Sequence, residues 1–387
     1  MKSVPSATGV PGVAAALGWS IASGFRASRT LSIDPLADAG GTDLSRLDKL
    51  IHRLKSVPLK SMTKIKIGFL GAGYIAGIHA SILARDGRVN VSAIQDIVQA
   101  RAERLALSVG AYVAHSASEA IETCDAIYIT SPNTKHTELA IASVEAGKHV
   151  FCEKPMATNI ADARRVLEAA EKSAAVFQVG HNRRFAPVYA ELKRILTETH
   201  RAHSAHVKMN RGELISPEWV GNPEITGGFL YETTIHMFDM LRFLFGEVSI
   251  LHAVGSSHEY SETDDFSVLL KFANGMQATL ASSADASWLF PFERVEVFCH
   301  HATIVTREME SLVYSEGLDG RHVERSMHQL SKEEKWGYAQ ENRAFIDSIS
   351  GGLPPAITAF DGYKSVELVN AVYESVRQAR QIEISNG

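Results

Sequence analysis

The sequence predicts an α/β protein in two parts: a doubly wound parallel sheet, then an α+β domain with a mostly antiparallel sheet. Three observations carry this. From residue 64 to about residue 180, short apolar strands alternate with amphipathic helices, the pattern of a parallel sheet covered on both faces. A glycine turn, Gly71-Ala-Gly73-Tyr-Ile-Ala76, joins the first strand to the first helix. Beyond residue 183, segments rich in Val, Phe and Thr follow one another without helices between them, and Asn274-Gly275 marks a tight hairpin.

Composition agrees. With 387 residues, 21% of them charged and 45% hydrophobic, the chain has length for two domains, or three at most. A formal net charge of -5 argues against a broad nucleic-acid-binding surface. The three cysteines, Cys124, Cys152 and Cys299, stand far apart in no CxxC spacing, so neither a disulfide framework nor a zinc knuckle is expected. They read as buried small hydrophobes in a reducing, cytoplasmic compartment.

Residues 1–61 read as an extension outside the fold. The uncharged stretch Ser3–Phe25 is broken by Pro and Gly, and its apolar part, Val13–Ile21, is too short to span a bilayer. A secretory signal, a transit peptide, a disordered extension and an upstream start codon before Met62 all stay open; one helix, Leu44–Leu54, is expected there. The boundaries that follow are 62–182 for the first domain and 183–387 for the second.

The first domain opens with alternating Ile65, Ile67 and Phe69, then the glycine turn and a helix from Ile75 to Arg85. This is the strand, turn and helix of a Rossmann-type dinucleotide site. Gly71 makes the turn, Gly73 admits a pyrophosphate to the backbone, Ala76 lets helix and strand pack closely, and the helix N-terminus with Tyr74 and Ile75 receives the phosphate. The second strand, Val89–Gln95, ends at Asp96, whose carboxylate is placed to accept the ribose 2′-OH and to repel a 2′-phosphate; NAD is expected over NADP, although a solvated strand-end Asp is the competing reading. Arg101 and Arg104 on the next helix would soften that preference. Strands at Asp125–Thr130, His149–Cys152 and Ala175–Val179 follow, with helices Thr137–Ala146 and Ile160–Ser173 between them.

Two loops at these strand ends stand out: Ser131-Pro-Asn-Thr-Lys-His136 and Cys152-Glu153-Lys154-Pro155. With the glycine turn they make the chain resemble the Gfo/Idh/MocA oxidoreductases, which include inositol and sugar dehydrogenases. The resemblance runs from about Lys64 to the C-terminus, taking in the late segment Asn342-Arg-Ala-Phe-Ile-Asp-Ser-Ile, and excludes residues 1–61. It implies that Ser131, Pro132, Asn133, His136, Glu153 and Lys154 line the cofactor. His136 capping the helix at Thr137, and Lys154 as a surface partner of Glu153, are the plainer readings. The resemblance also implies an open-faced second sheet whose bare face makes homodimers or homotetramers, and a last helix that packs back toward the first domain.

The second domain carries Gly227-Gly-Phe-Leu-Tyr231-Glu232-Thr-Thr-Ile-His236-Met-Phe-Asp239. Glu232, His236 and Asp239 are spaced i, i+4, i+7, one face of a helix. A satisfied core histidine, a metal ligand and a catalytic base compete here. No metal is expected, because only one imidazole is present. His236 matches the family's Asp-to-His spacing, whereas Glu232 replaces the usual Asp and is one methylene longer. The expected reaction is hydride transfer between NAD and a secondary alcohol of a sugar, glycoside or cyclitol. His236 then serves as base, Lys154 stabilises the oxyanion, and Glu232 orients His236 or the substrate. Asn182, Arg183 and Tyr231 are candidate substrate contacts, with Trp219 or Trp288. Two rivals remain: an NAD-dependent glycoside hydrolase or lyase with a transient internal redox cycle, and a non-catalytic cofactor-binding regulatory protein.

Overall fold

The computed structural model describes residues 63–214, 217–287, 292–318 and 320–384. Expectations for residues 1–61, including the helix at 44–54, and for Trp288 lie outside the described residues.

The N-terminal half runs β1 (Ile65–Leu70), α1 (Tyr74–Leu83), β2 (Val89–Gln95), α2 (Gln99–Val109), β3 (Tyr112–Val113), α3 (Ala117–Thr123), β4 (Ala126–Ile129), α4 (His136–Glu145), β5 (His149–Glu153), α5 (Ile160–Glu171) and β6 (Phe177–Gly180). The six strands pair in parallel in the order β3-β2-β1-β4-β5-β6. Every residue of β4 and β6 is buried, as strands covered on both faces must be. Asn159 caps α5 by accepting the Asp162 N–H at 2.9 Å, which explains why that helix starts where the apolar repeat begins.

The C-terminal half continues with α6 (Pro187–Glu198), β7 (Ala202–Asn210), a short α7 (Pro223–Thr226), a π-helical turn (Leu230–Thr234) and α8 (Ile235–Phe245). Then come β8 (Val248–Ser256), β9 (Asp265–Phe272), β10 (Gln277–Ser283), β11 (Glu293–Cys299), β12 (Ala302–Arg307), β13 (Ser311–Glu316) and β14 (Arg321–Ser326). The chain ends with α9 (Lys332–Lys335), α10 (Tyr338–Gly351), α11 (Ala359–Gln378) and β15 (Ile382–Glu383). Nine strands form one sheet, antiparallel except where β7 meets β10. Alternating burial along β9 marks one covered and one bare face. Gly275 takes φ +88° in the β9–β10 turn, where Asn274-Gly275 was expected to make a hairpin.

One placement departs from the sequence reading, which sent only the last helix back to the first domain. Helix α10 also packs on the parallel sheet. Phe345 stands edge-on to Tyr128 and Phe151 at 5.5 and 5.6 Å between ring centroids, and those two rings stack at 4.6 Å. The last helix lies against Val179 and Met156 through Gly362, and Tyr363 accepts a hydrogen bond from Arg164 of α5 at 2.7 Å. Helix 338–351 carries an apolar stripe that the strands before it cannot cover, so it closes the parallel sheet instead.

Candidate active site

The carboxyl ends of β4, β5 and β6 deliver three loops to one crevice, as parallel sheets do. Lys154 follows β5 directly. Its ammonium donates to the main-chain carbonyl of Glu232 at 2.8 Å and stands 3.7 Å from that residue's carboxylate. From the β4 loop, Asn133 donates its amide to the other Glu232 oxygen at 2.8 Å and to the Thr226 carbonyl at 3.0 Å. Loops of the first domain therefore grip the helical segment of the second at Glu232.

That segment is not one regular helix. A π-helical turn precedes α8 and widens the spacing at Glu232, a distortion common at functional sites. Asp239, three residues after His236 on α8, is fully buried and held in a two-pronged pair by Arg184 at 2.6 and 2.8 Å. A buried carboxylate needs such a partner.

His236 has no hydrogen-bond partner at Nδ1 among the described residues. Burial pushes its imidazole well below the ordinary histidine range, and the charges of Arg183, Lys154 and Arg211 push the same way. The ring is neutral at pH 7. Arg183 is anchored through Nε to Glu293 at 2.7 Å, Tyr189 donates to the other Glu293 oxygen at 2.6 Å, and the guanidinium lies over Trp336 at 5.3 Å. Sequence reasoning missed Arg211, which follows β7 and lies over Phe292 at 5.3 Å. It missed His181 too, which is buried with neither ring nitrogen hydrogen-bonded among the described residues, Nε2 4.0 Å from Asp239, and its ring 6.1 Å from that of His236. No local spacing signals either residue, because each reaches the site from another strand end.

Several expected contacts have other jobs. Both ring nitrogens of His136 face carbonyls, Pro155 at 2.7 Å and Ser131 at 2.8 Å, so the ring ties two loops together and neither caps a helix nor offers a free atom to a ligand. Burial pushes that imidazole down, while the two carbonyls oppose the shift. Asn182 gives its amide to the Trp336 carbonyl at 2.7 Å, and Tyr231, 4% exposed, stacks on Tyr373 in the core. The ring of Tyr231 is thus taken up by core packing. Trp219 is half-buried, and Ser131 Oγ is buried without a partner.

The nucleotide end fits a dinucleotide. Gly71 takes φ +106°, and a Cβ there would stand 2.6 Å from the Thr130 and Ser131 backbone, so only glycine makes this turn. Gly73 begins α1 with no side-chain cap and no acidic residue in the first turn, which leaves the positive helix end for phosphate. Asp96 accepts the Ala72 N–H at 2.7 Å and the Val98 N–H at 2.8 Å, which pins its carboxylate beside that turn with lone pairs to spare. Pro132 and Ile75 are half-buried, and Tyr74, 72% exposed, accepts a hydrogen bond from Lys332 at 2.8 Å.

Residues 65–181 match the oxidoreductase family with an NAD-binding Rossmann fold, and residues 191–384 match the same family's C-terminal alpha/beta domain. The chain belongs to the Gfo/Idh/MocA oxidoreductase family. As a Gfo/Idh/MocA protein it is 30% identical over 331 residues to a myo-inositol 2-dehydrogenase of Thermotoga maritima, covering 83% of this chain and 98% of that one. It is 29% identical over 333 residues to an inositol 2-dehydrogenase of Rhizobium meliloti, covering 83% and 99%. A levoglucosan dehydrogenase solved with NADH shares the fold at TM-score 0.77 and 22% identity, over 84% of this chain and all of that one. The family assignment makes this chain an NAD-binding oxidoreductase.

Proposed function

We propose that this protein oxidises a secondary hydroxyl of a cyclitol or sugar, with NAD as the cofactor. The observation that carries the reading is the grip of Lys154 and Asn133 on Glu232, one helical turn before an imidazole whose proton affinity burial, and then the Arg183 and Lys154 charges, lower. The names of the inositol dehydrogenase relatives support the substrate class.

Gly71, Gly73 and Asp96 would hold the dinucleotide, with the loops at Ser131–Asn133 and Glu153–Lys154 beside it. Bound NAD supplies the hydride acceptor. The chain's own residues do the rest. His236, neutral because burial and nearby cations lower its proton affinity, takes the hydroxyl proton. Lys154, held by the Glu232 carbonyl, turns its remaining N–H donors toward the substrate oxygen and stabilises the charge that grows there. Glu232 compensates the ammonium and orients it. The terminal nitrogens of Arg183, whose Nε is committed to Glu293, and the guanidinium of Arg211 bind further hydroxyls.

The same reading places the protein in a reducing, cytoplasmic setting, supported by three free cysteines, and as a homodimer or homotetramer through the bare sheet face, where Val254 and Leu269 are exposed. Light scattering tests the assembly; a monomer would refute it. No described helix is long and apolar enough to cross a membrane.

The test of function is NADH absorbance across inositols, free hexoses and glycosides, with NADP in parallel. Net NADH from inositols or hexoses is expected, with NAD preferred. Aglycone release without net NADH would instead point to an internal redox cycle, and cofactor binding without any turnover to a regulatory protein.

A further inference from the structure

Beneath Lys154 lies a buried polar chain that the reaction as described does not use. Glu153 ends β5 opposite Gly180 of β6, where a Cβ would stand 3.0 Å from the Glu153 carboxylate and crowd it. One carboxylate oxygen accepts the main-chain N–H of Lys154 at 3.1 Å, and the other faces His79 Nε2 at 2.8 Å. His79, on α1, is fully buried among the rings of Phe151, Tyr128 and Tyr338. Its second nitrogen, Nδ1, lies 2.8 Å from the amide nitrogen of Asn342 on α10.

Hydrogen-bond chemistry sets where the proton sits. Asn342 Oδ1 accepts the Tyr128 hydroxyl at 3.0 Å while Nδ2 donates to the Tyr338 carbonyl at 2.7 Å, so two neighbours agree on which end of the amide is nitrogen. An amide nitrogen only donates. His79 Nδ1 therefore accepts, and the ring proton sits on Nε2, from which it is donated to Glu153. The imidazole is neutral, and Glu153 keeps its negative charge beside the Lys154 ammonium. Burial raises the Glu153 carboxyl, but the His79 bond and the Lys154 charge hold it below the ordinary carboxylate range. Glu341, next to Asn342, is fully buried with neither oxygen bonded; burial and the Glu153 charge push its carboxyl well up, so it stays neutral and adds no rival charge.

We propose that Asn342 and His79 are positioning residues for Lys154: the amide fixes the imidazole tautomer, the imidazole holds Glu153, and Glu153 orients the Lys154 main chain. The proposal rests on the reading of Lys154 as the group that meets the substrate oxygen. Neither His79 nor Asn342 touches a reacting atom in this scheme; both act through Glu153.

Two measurements test it on the full chain. The ¹⁵N imidazole signals of His79, read without substrate, are expected to show the neutral Nε2–H tautomer at pH 7 and to move toward imidazolium in Asn342→Asp. An Nδ1–H tautomer or an imidazolium in the unmodified protein would overturn the proposal alone. In kinetics, His79→Leu is expected to lower kcat by up to about 10²-fold, the cost of a misplaced reacting group. His79→Gln keeps an N–H donor toward Glu153 and should restore most of the lost kcat. Equal losses in the two variants, tracking Tm, would mark a structural role and overturn the proposal. Inactivity of the unmodified protein on every polyol would overturn the proposed function together with it, whatever the tautomer.

Discussion

The two halves place their functional groups by different physics. In the parallel sheet each group follows directly from a strand end: Asp96 after β2, Asn133 after β4, Lys154 after β5 and Arg183 after β6. Strand direction alone gathers them, since all six strands point the same way. The nine-stranded sheet cannot do this, because neighbouring antiparallel strands end on opposite sides. It supplies Arg211 at one strand end and Glu293 at the start of another, and leaves Glu232 and His236 to the π-helical turn and α8 laid on its covered face. Half a site made by topology meets half made by a helix distortion, and the Glu232 carboxylate is where they touch.

The largest test of that division removes one group from each half. Lys154→Ala and His236→Ala are each expected to lower kcat/KM by about 10²–10⁴-fold without loss of fold, as measured by steady-state kinetics beside circular dichroism. Near-normal turnover in both would break the comparison at its root. Asp239→Asn should give the opposite pattern. It removes a buried carboxylate from Arg184 and lowers stability by about 3 kcal/mol, the low end for a broken buried pair because Asp361 still faces Arg184 at 3.0 Å. Urea unfolding measures this, and turnover of the folded fraction should persist; its abolition would give Asp239 a part in the reaction.

Smaller effects come from charge. Because burial and nearby cations depress the His236 imidazole, the base form persists as pH falls through the ordinary histidine value of about 6.5. The acid limb of kcat/KM should therefore lie below that value. Arg211→Ala removes one of the cations, raises the imidazole and moves the acid limb to higher pH; an unchanged limb would take Arg211 out of the site. Tyr231→Phe is expected to change kcat/KM least, about twofold or less, since the ring is core packing and its hydroxyl contacts no described group.

Much of the first half was legible in advance, because its rules are local. The Gly71 turn, the strand-to-helix alternation and the loops at Asn133 and Lys154 each lie within a few residues of the element that places them. The second half was legible only in part. The i, i+4, i+7 spacing of Glu232, His236 and Asp239 suggested a shared face; a π-helical turn changed the phase at Glu232, while His236 and Asp239 stay together on α8 and Arg184, 55 residues away, holds the Asp239 carboxylate. The family resemblance set His136 against the cofactor, and Tyr231 was a candidate substrate contact; in the structure His136 bonds two loop carbonyls and the Tyr231 ring stacks on Tyr373.

The sequence by itself determined the family, the dinucleotide turn and the identities of the ammonium and the imidazole, since each depends on residue types at short, fixed spacing. Only the tertiary structure decided what those groups face. The partner of Glu153 comes from a helix 74 residues earlier, and the amide behind that partner from a helix 263 residues later than it. A proton's place on an imidazole is set by the atoms across from it in space, and no spacing along a chain records them.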